Sequence, residues 1–231
     1  MNILTIMGTK HKGNTRAIVD LFLDEFNDEK NNFDEIVLPD EMPEFCCGCA
    51  NCILKGEEYC PHHSYVKPIV EKLEKADLII IGTPVFVMSC TSSLKALLDH
   101  LAYLWLVHRP NEKMFGKTAL IVTSAGGSGV SATVKLLKNN LFYLGISDIF
   151  TYGITTMKMG GNYIDYKHKD KIQKQVKIKA DKIKKNIPER KISLKSKLFF
   201  NVFKMSQKNS WNKTDSDYWK EKGWLSGKKP Y

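Results

Sequence analysis

Five short apolar runs alternate along the chain with five stretches of helical spacing, and this alternation constrains the fold more than any other feature. Each run has the length and the β-branched content of a buried strand. Alternating strands and helices predict a parallel sheet with helices on both faces. The predicted strands are 1–7, 33–38, 77–82, 118–123 and 146–154, and the predicted helices are 17–26, 66–75, 94–107, 130–144 and 167–186.

Five parallel strands are expected to take the order 2-1-3-4-5, which gives an α/β three-layer sandwich of the flavodoxin-like kind. Ligands of such sheets bind outside the carboxyl ends of the strands, near the point between strands 1 and 3 where the order reverses. Three loops rich in glycine and hydroxyl residues follow strands 1, 3 and 4, at 8–15, 82–89 and 123–129. Because all three fall at the same edge, the sequence predicts a binding site there.

The first loop has the composition of a phosphate site. It joins a strand directly to a helix, so backbone N–H groups at the helix N-terminus are free to bind an anion. No lysine follows Gly13, so the Walker pattern is absent, and Gly-x-Gly-x-x-Gly is absent too. The alternative is an ordinary strand-to-helix turn capped by Asn14 or Thr15. The candidate phosphate-binding residues are Thr9, Lys10, His11, Lys12, Gly13, Asn14 and Thr15.

The second loop is apolar in a place where solvent would be expected. Pro84 fixes its own φ and biases Thr83 towards extended backbone, and residues 85–88 are all apolar. Apolar side chains at this edge need a cover, which a planar aromatic ligand can supply. The alternative cover is the segment 40–64 or a second subunit.

Five of the six cysteines lie between Cys46 and Cys60. The chain starts directly with a strand and shows no signal segment, which favours the cytoplasm, where thiols stay reduced. In that compartment such a group of cysteines indicates metal or redox chemistry more than disulfides. The neighbouring His62 and His63 could supply a metal ligand but are expected to be solvated, and Cys90 is expected to be a small buried apolar residue.

The formal net charge of +10 is concentrated in the last third of the chain. Residues 158–231 hold 21 Lys and Arg against 7 Asp and Glu, whereas the rest of the chain has a net charge of −4. No run of 18 apolar residues is present, so no membrane span is predicted.

The strand and helix pattern predicts a binding domain over 1–187 and a basic, aromatic-containing appendage over 188–231. In the appendage, Leu194, Leu198, Phe199, Val202 and Phe203 form an apolar stripe at helical spacing. Three interpretations are open: docking on its own domain or a partner subunit, a membrane-surface helix, and nucleic-acid binding. Docking is favoured because aromatic side chains need burial, and no nucleic-acid partner is expected because no known module is visible.

These motifs together resemble the NAD(P)H-dependent FMN reductases of the flavodoxin-like superfamily. The resemblance covers about residues 1–185 and is carried by 8–15, 46–52, 82–86 and 93–99, in the same order and spacing. It implies an FMN phosphate at Thr9–Thr15. Phe86 stands where the family often has tyrosine. Phenylalanine keeps the packing of the aromatic ring but lacks the hydroxyl. The remaining flavin contacts that the resemblance implies are Pro84, Val85, Phe86, Val87, Thr123, Ser124, Gly126 and Gly127.

The cysteines are similar to the compact cluster motif of iron–sulfur flavoproteins, a branch of the same superfamily. The spacing is Cys46-x2-Cys49-x2-Cys52-x7-Cys60, with Cys47 as a bystander. Four thiolates on one loop can hold a [4Fe–4S] cluster, and they also suit zinc. The third alternative is a set of reduced thiols near the flavin without any metal, as plain FMN reductases often have.

The main functional hypothesis is an FMN-dependent oxidoreductase that takes electrons from NADH or NADPH and passes them to a quinone, a flavin or another acceptor. No acid–base residue is assigned, because the chemistry belongs to the cofactor. The alternative is an electron carrier between FMN, a [4Fe–4S] cluster and partner proteins. A weaker third hypothesis is a flavin-binding regulatory module. Excess apolar surface around 103–106 predicts a homodimer or homotetramer.

Overall fold

A five-stranded parallel sheet in the order 2-1-3-4-5 forms the centre of the protein, which confirms the predicted fold class. The computed structural model describes residues 1–157, 168–189 and 192–231. The strands are β1 Asn2–Met7, β2 Asn32–Val37, β3 Leu78–Pro84, β4 Thr118–Ala125 and β5 Asp148–Thr155.

The register brings the carboxyl ends of the strands to one edge. Met7 of β1 pairs with Val37 of β2 and with Gly82 of β3, and Pro84 pairs with Ser124 of β4. Strands β3 and β4 are buried along nearly their whole length because helices cover both faces of a parallel sheet. The loops that leave β1, β3 and β4 therefore begin side by side.

Eight helices surround or extend the sheet within the described residues. Two of them, α1 and α6, cover one face, where the predicted stripe of Ile172, Val176, Ala180 and Ile183 is buried. Helices α3, α4 and α5 contribute to the core on the other face. The helices are α1 Asn14–Glu25, α2 Asn51–Leu54, α3 His63–Lys75, α4 Ser92–His100, α5 Val130–Tyr143, α6 Lys169–Asn186, α7 Leu194–Lys208 and α8 Lys213–Glu221.

The helix predicted over 94–107 is shorter than expected. It ends at His100, because the N–H of Leu101 bonds to the carbonyls of both Leu97 and Leu98 and the chain tightens into a 3-10 turn over Ala102–Leu104. Tyr103, Leu104 and Leu106 then turn inward and are buried in their own chain. The apolar surface that motivated a homodimer or homotetramer is therefore absent at 103–106, and oligomerisation stays a prediction without that support.

The appendage packs on the sandwich through a separate aromatic cluster. Phe200 of α7 and Trp219 of α8 stack with ring centroids 4.9 Å apart, and both are fully buried with Trp224. They contact Leu106 and Phe115 of the preceding domain. The predicted apolar stripe of α7 is partly wrong, because Leu194, Leu198 and Val202 point to solvent while Phe199 and Phe203 are partly buried.

No helix in the described parts of the chain is long and apolar enough to cross a membrane. The first lysine-rich residues of the basic segment, 158–167, and the pair 190–191 lie outside the described residues.

Candidate functional site

An open cavity of about 390 Å³ lies at the carboxyl edge of the sheet, at the predicted place. Its walls come from the loops after β1, β3 and β4, with a contribution from the end of β5. The lining residues are Thr9, His11, Gly13, Asn14, Thr15, Pro84, Val85, Phe86, Val87, Met88, Ser124, Ala125, Gly126, Gly127, Ser128 and Thr156.

The helix N-terminus at the base of the cavity is not capped by the protein itself. Gly13 occupies the N-cap position with extended backbone and makes no side-chain capping bond, so the alternative turn capped by Asn14 or Thr15 is not what forms. The first-turn N–H groups have no intrahelical acceptor. Asn14 Oδ1 is buried and has no hydrogen-bond partner. The uncapped N–H groups favour an anion at this position, and the unpaired amide oxygen of Asn14 favours a hydrogen-bond donor beside it.

Buried hydroxyl groups hold the three loops together. Thr15 Oγ1 lies 2.7 Å from Ser124 Oγ, which joins the loop after β1 to the loop after β4. Thr91 Oγ1 donates to the carbonyl of Gly8 at 2.6 Å, and the N–H of Val85 donates to the carbonyl of Ser124 at 2.8 Å. A Cβ on Gly8 would lie 2.7 Å from Thr91 Oγ1, so only glycine allows this close approach. The cavity is thus preformed by contacts between loops.

A tight apolar turn forms the upper wall. Phe86 and Ser89 exchange backbone hydrogen bonds of 2.9 Å around Val87 and Met88. Val87 has φ of 47° and Met88 has φ of 62°, a left-handed conformation that costs a β-branched residue energy. Val87 is 99% exposed, and Phe86 and Met88 are more than half exposed. A strained turn that presents three apolar side chains to a cavity indicates a ligand-contacting role.

Most of the residues predicted from the sequence line this cavity, and three do not. Lys10 pairs with Asp40 at 2.7 Å, Lys12 is exposed outside the wall, and Thr123 is buried within β4 with its Oγ1 unpaired. Four further wall residues were not predicted from the sequence: Met88, Ala125, Ser128 and Thr156. The first three lie inside or beside the predicted loops 82–89 and 123–129. Thr156 follows β5, after which the sequence predicts no binding loop.

The cysteine loop forms a second polar site. Cys46 and Cys49 are exposed, while Cys52 of α2 and Cys60 are half-buried. Burial raises the pKa of the Cys52 thiol, and the neighbouring Cys60, Cys46 and Cys49 raise it further. The N–H of Asn51 lowers the pKa of Cys49. These four thiols are close enough to affect one another's charge.

The appendage holds the helix that carries Cys52. Arg109, which is 5% exposed, donates to the carbonyls of Cys52 and Ile53 and also binds Asp215 of α8 at 2.8 Å. Asn212 Nδ2 donates to the carbonyl of Ile53 at 3.0 Å, and Thr214 Oγ1 donates to that of Leu54 at 2.7 Å. Asp215 is 2% exposed and also binds His108 Nδ1 at 2.8 Å. The carbonyls at the end of α2 are therefore capped from more than 50 residues away in sequence.

Comparison with known proteins gives a consistent picture. Residues 1–156 match the family model of the NADPH-dependent FMN reductases. An iron-sulfur flavoprotein of Methanocaldococcus jannaschii is 30% identical over 140 residues, which are 60% of this chain and 70% of that protein. An FMN-dependent NADH:quinone oxidoreductase of Hydrogenovibrio crunogenus is 32% identical over 92 residues, 35% of this chain and 46% of that protein. The chain spans about half the length of most curated relatives that it matches.

Among solved structures, the fold is similar to that of an FMN-dependent NADH-azoreductase from Bacillus anthracis in complex with FMN. The TM-score is 0.60 and the sequence identity is 14%, over 79% of this chain and 99% of the other. At this identity the likeness concerns the fold.

Proposed function

The chain belongs to the NADPH-dependent FMN reductase family, and from this premise we propose that it is an FMN-dependent oxidoreductase that takes electrons from NADH or NADPH. The acceptor that we propose is a quinone or another small molecule, because the Hydrogenovibrio relative is an NADH:quinone oxidoreductase. The observation that carries the proposal is the preformed cavity, with an uncapped helix N-terminus at one end and an exposed apolar turn at the other.

The polar end of the cavity fits a single phosphate. The free N–H groups of the first turn of α1 can donate hydrogen bonds to an anion. The helix dipole favours negative charge at the same place. The amide of Asn14 can offer its NH2 to a phosphate or its oxygen to a ribityl hydroxyl, because rotation exchanges the two atoms. With one cradle and no dinucleotide fingerprint, FMN fits better than FAD.

The apolar end fits a flavin ring. Phe86, Val87 and Met88 are exposed side chains next to Pro84 and Val85 in the same wall. A planar ring placed against them would shield apolar surface, worth about 25 cal/mol per Å². When bound, FMN would supply hydride and single-electron chemistry, while the chain holds the ring in place.

The test is to identify the flavin that heat releases from the purified protein and then to add NADH or NADPH without oxygen. We expect FMN in the supernatant, and bleaching of the bound flavin by at least one nicotinamide. A quinone added afterwards should restore the oxidised flavin spectrum. FAD as the only flavin, or no affinity for flavin at all, would contradict the proposal.

A second candidate function, an electron carrier with a [4Fe–4S] cluster, is supported by the mutual effects of the four thiols. The donor set fits such a cluster, which would be held by Cys46, Cys49, Cys52 and Cys60. After anaerobic reconstitution with iron and sulfide, this function requires about four iron atoms per chain. Cys49→Ala should then abolish the cluster absorbance and leave FMN bound, whereas the buried Cys90→Ala should do neither. Flavin absorbance alone after reconstitution would exclude the carrier.

A further inference from the structure

Cys60, His62 and His100 come together from separate parts of the chain, and none of the three lines the cavity at the sheet edge. Cys60 ends the 3-10 turn Glu57–Tyr59, His62 precedes α3, and His100 is the last residue of α4. The Cys60 sulfur and one ring nitrogen of each histidine all lie within 4.8 Å of one another. The sequence analysis expected His62 to be solvated, but its Nδ1 lies 2.8 Å from His100 Nε2.

The hydrogen bonds of His100 leave one nitrogen free to bind a metal. His100 is 3% exposed, and its Nδ1 lies 2.7 Å from the carbonyl oxygen of Ala96. Because that oxygen can only accept, Nδ1 carries the hydrogen and Nε2 keeps its lone pair. A histidine that binds a metal through one nitrogen and donates to a backbone carbonyl through the other is the usual arrangement in protein metal sites.

The two rings are close to the separation that a metal needs. Bonds of about 2.0–2.1 Å at tetrahedral angles would place the two nitrogens about 3.3 Å apart. The observed 2.8 Å is a hydrogen bond in which His62 Nδ1 donates to His100 Nε2. A cation that enters takes the place of this shared proton and requires the rings to separate by only about 0.5 Å, given that bond length.

One thiolate and two imidazole nitrogens are the donor set that zinc prefers. Three protein ligands leave the fourth tetrahedral position to water. Among the described residues, no other three His, Cys, Asp or Glu side chains bring their ligand atoms this close together.

We propose that Cys60, His62 and His100 form a mononuclear Zn²⁺ site, distinct from the four-cysteine set and from the FMN cavity. The site shares only Cys60 with the four-cysteine set. Zinc here and a cluster on Cys46, Cys49, Cys52 and Cys60 therefore exclude each other on one chain.

The experiment measures the Zn²⁺ affinity of the full-length, reduced and chelator-treated chain by competition with a chromophoric chelator. We expect one zinc ion per chain. His100→Gln should lower the affinity more than about 100-fold, because removal of a ligand costs more than removal of a supporting group, which costs about 10- to 100-fold. His62→Gln should do the same, and since His62 is less buried than His100 it covers the case in which the buried variant fails to fold. Far-UV circular dichroism and a urea unfolding curve of each variant report its folding.

Two matched variants separate this site from the other possibilities. His63→Gln changes the neighbouring histidine, which lies outside the group, and should leave the affinity unchanged. Cys49→Ser removes a thiol of the four-cysteine set and should also leave it unchanged. X-ray absorption of the bound zinc should show one sulfur and two imidazole ligands. A shell of four sulfurs, or wild-type affinity in both His62→Gln and His100→Gln, would overturn the proposal whatever the outcome of the FMN test.

Discussion

The cavity at the sheet edge and the cysteine loop both lie within residues 1–157 but are built in different ways. The cavity consists of three loops that leave adjacent strands, joined by short contacts such as Thr15 to Ser124. The cysteine loop owes its shape to residues that are distant in the sequence: Arg109 and Asp215, 106 residues apart, together fix the end of α2. The cavity therefore depends on the sheet, and the cysteine loop depends on the appendage.

This difference implies that the two sites can be disturbed separately. A change at the N-terminus of α1 or at the carboxyl end of β4 should alter flavin binding and leave the reactivity of the thiols unchanged. A change in α8 should release α2 and leave the flavin bound. The three predictions that follow test this separation.

The largest effect is expected from Asp215→Ala. The substitution leaves the guanidinium of Arg109, which is 5% exposed, without its buried carboxylate. Removal of one partner of a buried ion pair costs about 3–5 kcal/mol. We expect the free energy of unfolding in urea to fall by about this amount, and the alkylation rate of Cys52 to rise several-fold because α2 loses the restraint that the Arg109–Asp215 pair provides. FMN affinity of the folded protein should change little.

Asp217→Asn is the matched control. Asp217 is in the same helix and pairs with Lys213 and Lys220, but its side chain is 38% exposed. Surface ion pairs contribute little to stability, so the unfolding curve and the Cys52 alkylation rate should stay close to those of the natural chain. If Asp215→Ala weakened FMN binding as strongly as it released Cys52, the two sites would not be separate.

An effect of intermediate size is expected from Asn14→Ala, which should weaken the binding of FMN in the cavity. Loss of a hydrogen bond to a charged group costs about 1.5–3 kcal/mol, which corresponds to roughly 10- to 100-fold in the dissociation constant of FMN. Calorimetric titration with FMN measures this directly. The alkylation rates of the cysteines should not change.

Lys12→Ala is the comparison for Asn14→Ala, because Lys12 belongs to the same loop but does not line the cavity. We expect its effect on FMN affinity to stay below that of Asn14→Ala. A larger loss with Lys12→Ala would mean that charge, and not the uncapped helix end, binds the phosphate.

The smallest effect concerns the order in which the thiols react. The N–H of Asn51 lowers the pKa of Cys49, whereas burial raises the pKa of Cys52 and of Cys60. A lower pKa leaves a larger thiolate fraction at neutral pH, and the thiolate is the reactive form. In the metal-free reduced protein, peptide mass spectrometry after iodoacetamide should show Cys49 modified several-fold faster than Cys52 or Cys60. Faster labelling of Cys52 would be evidence against the loop geometry.

Sequence patterns predicted the features of this protein that depend on neighbouring residues in the chain, such as helix faces and loop positions. The stripe Ile172, Val176, Ala180 and Ile183 follows helical periodicity and is buried as predicted. The loops 8–15 and 82–89 were identified because glycine, hydroxyl and proline residues follow apolar strands, and both reach the cavity. Backbone conformation and side-chain polarity over a few residues contain this information.

Contacts between distant residues could not be predicted in this way. Leu101 ends α4 because Tyr103, Leu104 and Leu106 have a place in the core, which an apolar run by itself does not reveal. The pairing of His62 with His100 and of Arg109 with Asp215 depends on how helices and turns pack. A single sequence contains no periodicity that links such positions, so the long-range contacts that fix the cysteine loop could not be predicted from it.

Because the appendage caps α2, the cavity and the cap on α2 are completed at different times during translation. The strands and loops that make the flavin cavity lie in the first 157 residues, whereas Asn212, Thr214 and Asp215 are translated much later. The ribosome adds about 5–20 residues per second, so the 106 residues between Arg109 and Asp215 correspond to roughly 5–20 s. After residue 157 the strands and loops of the cavity have all been synthesised, whereas the residues that cap the end of α2 have not. The cap on α2 is therefore completed only when translation is nearly finished.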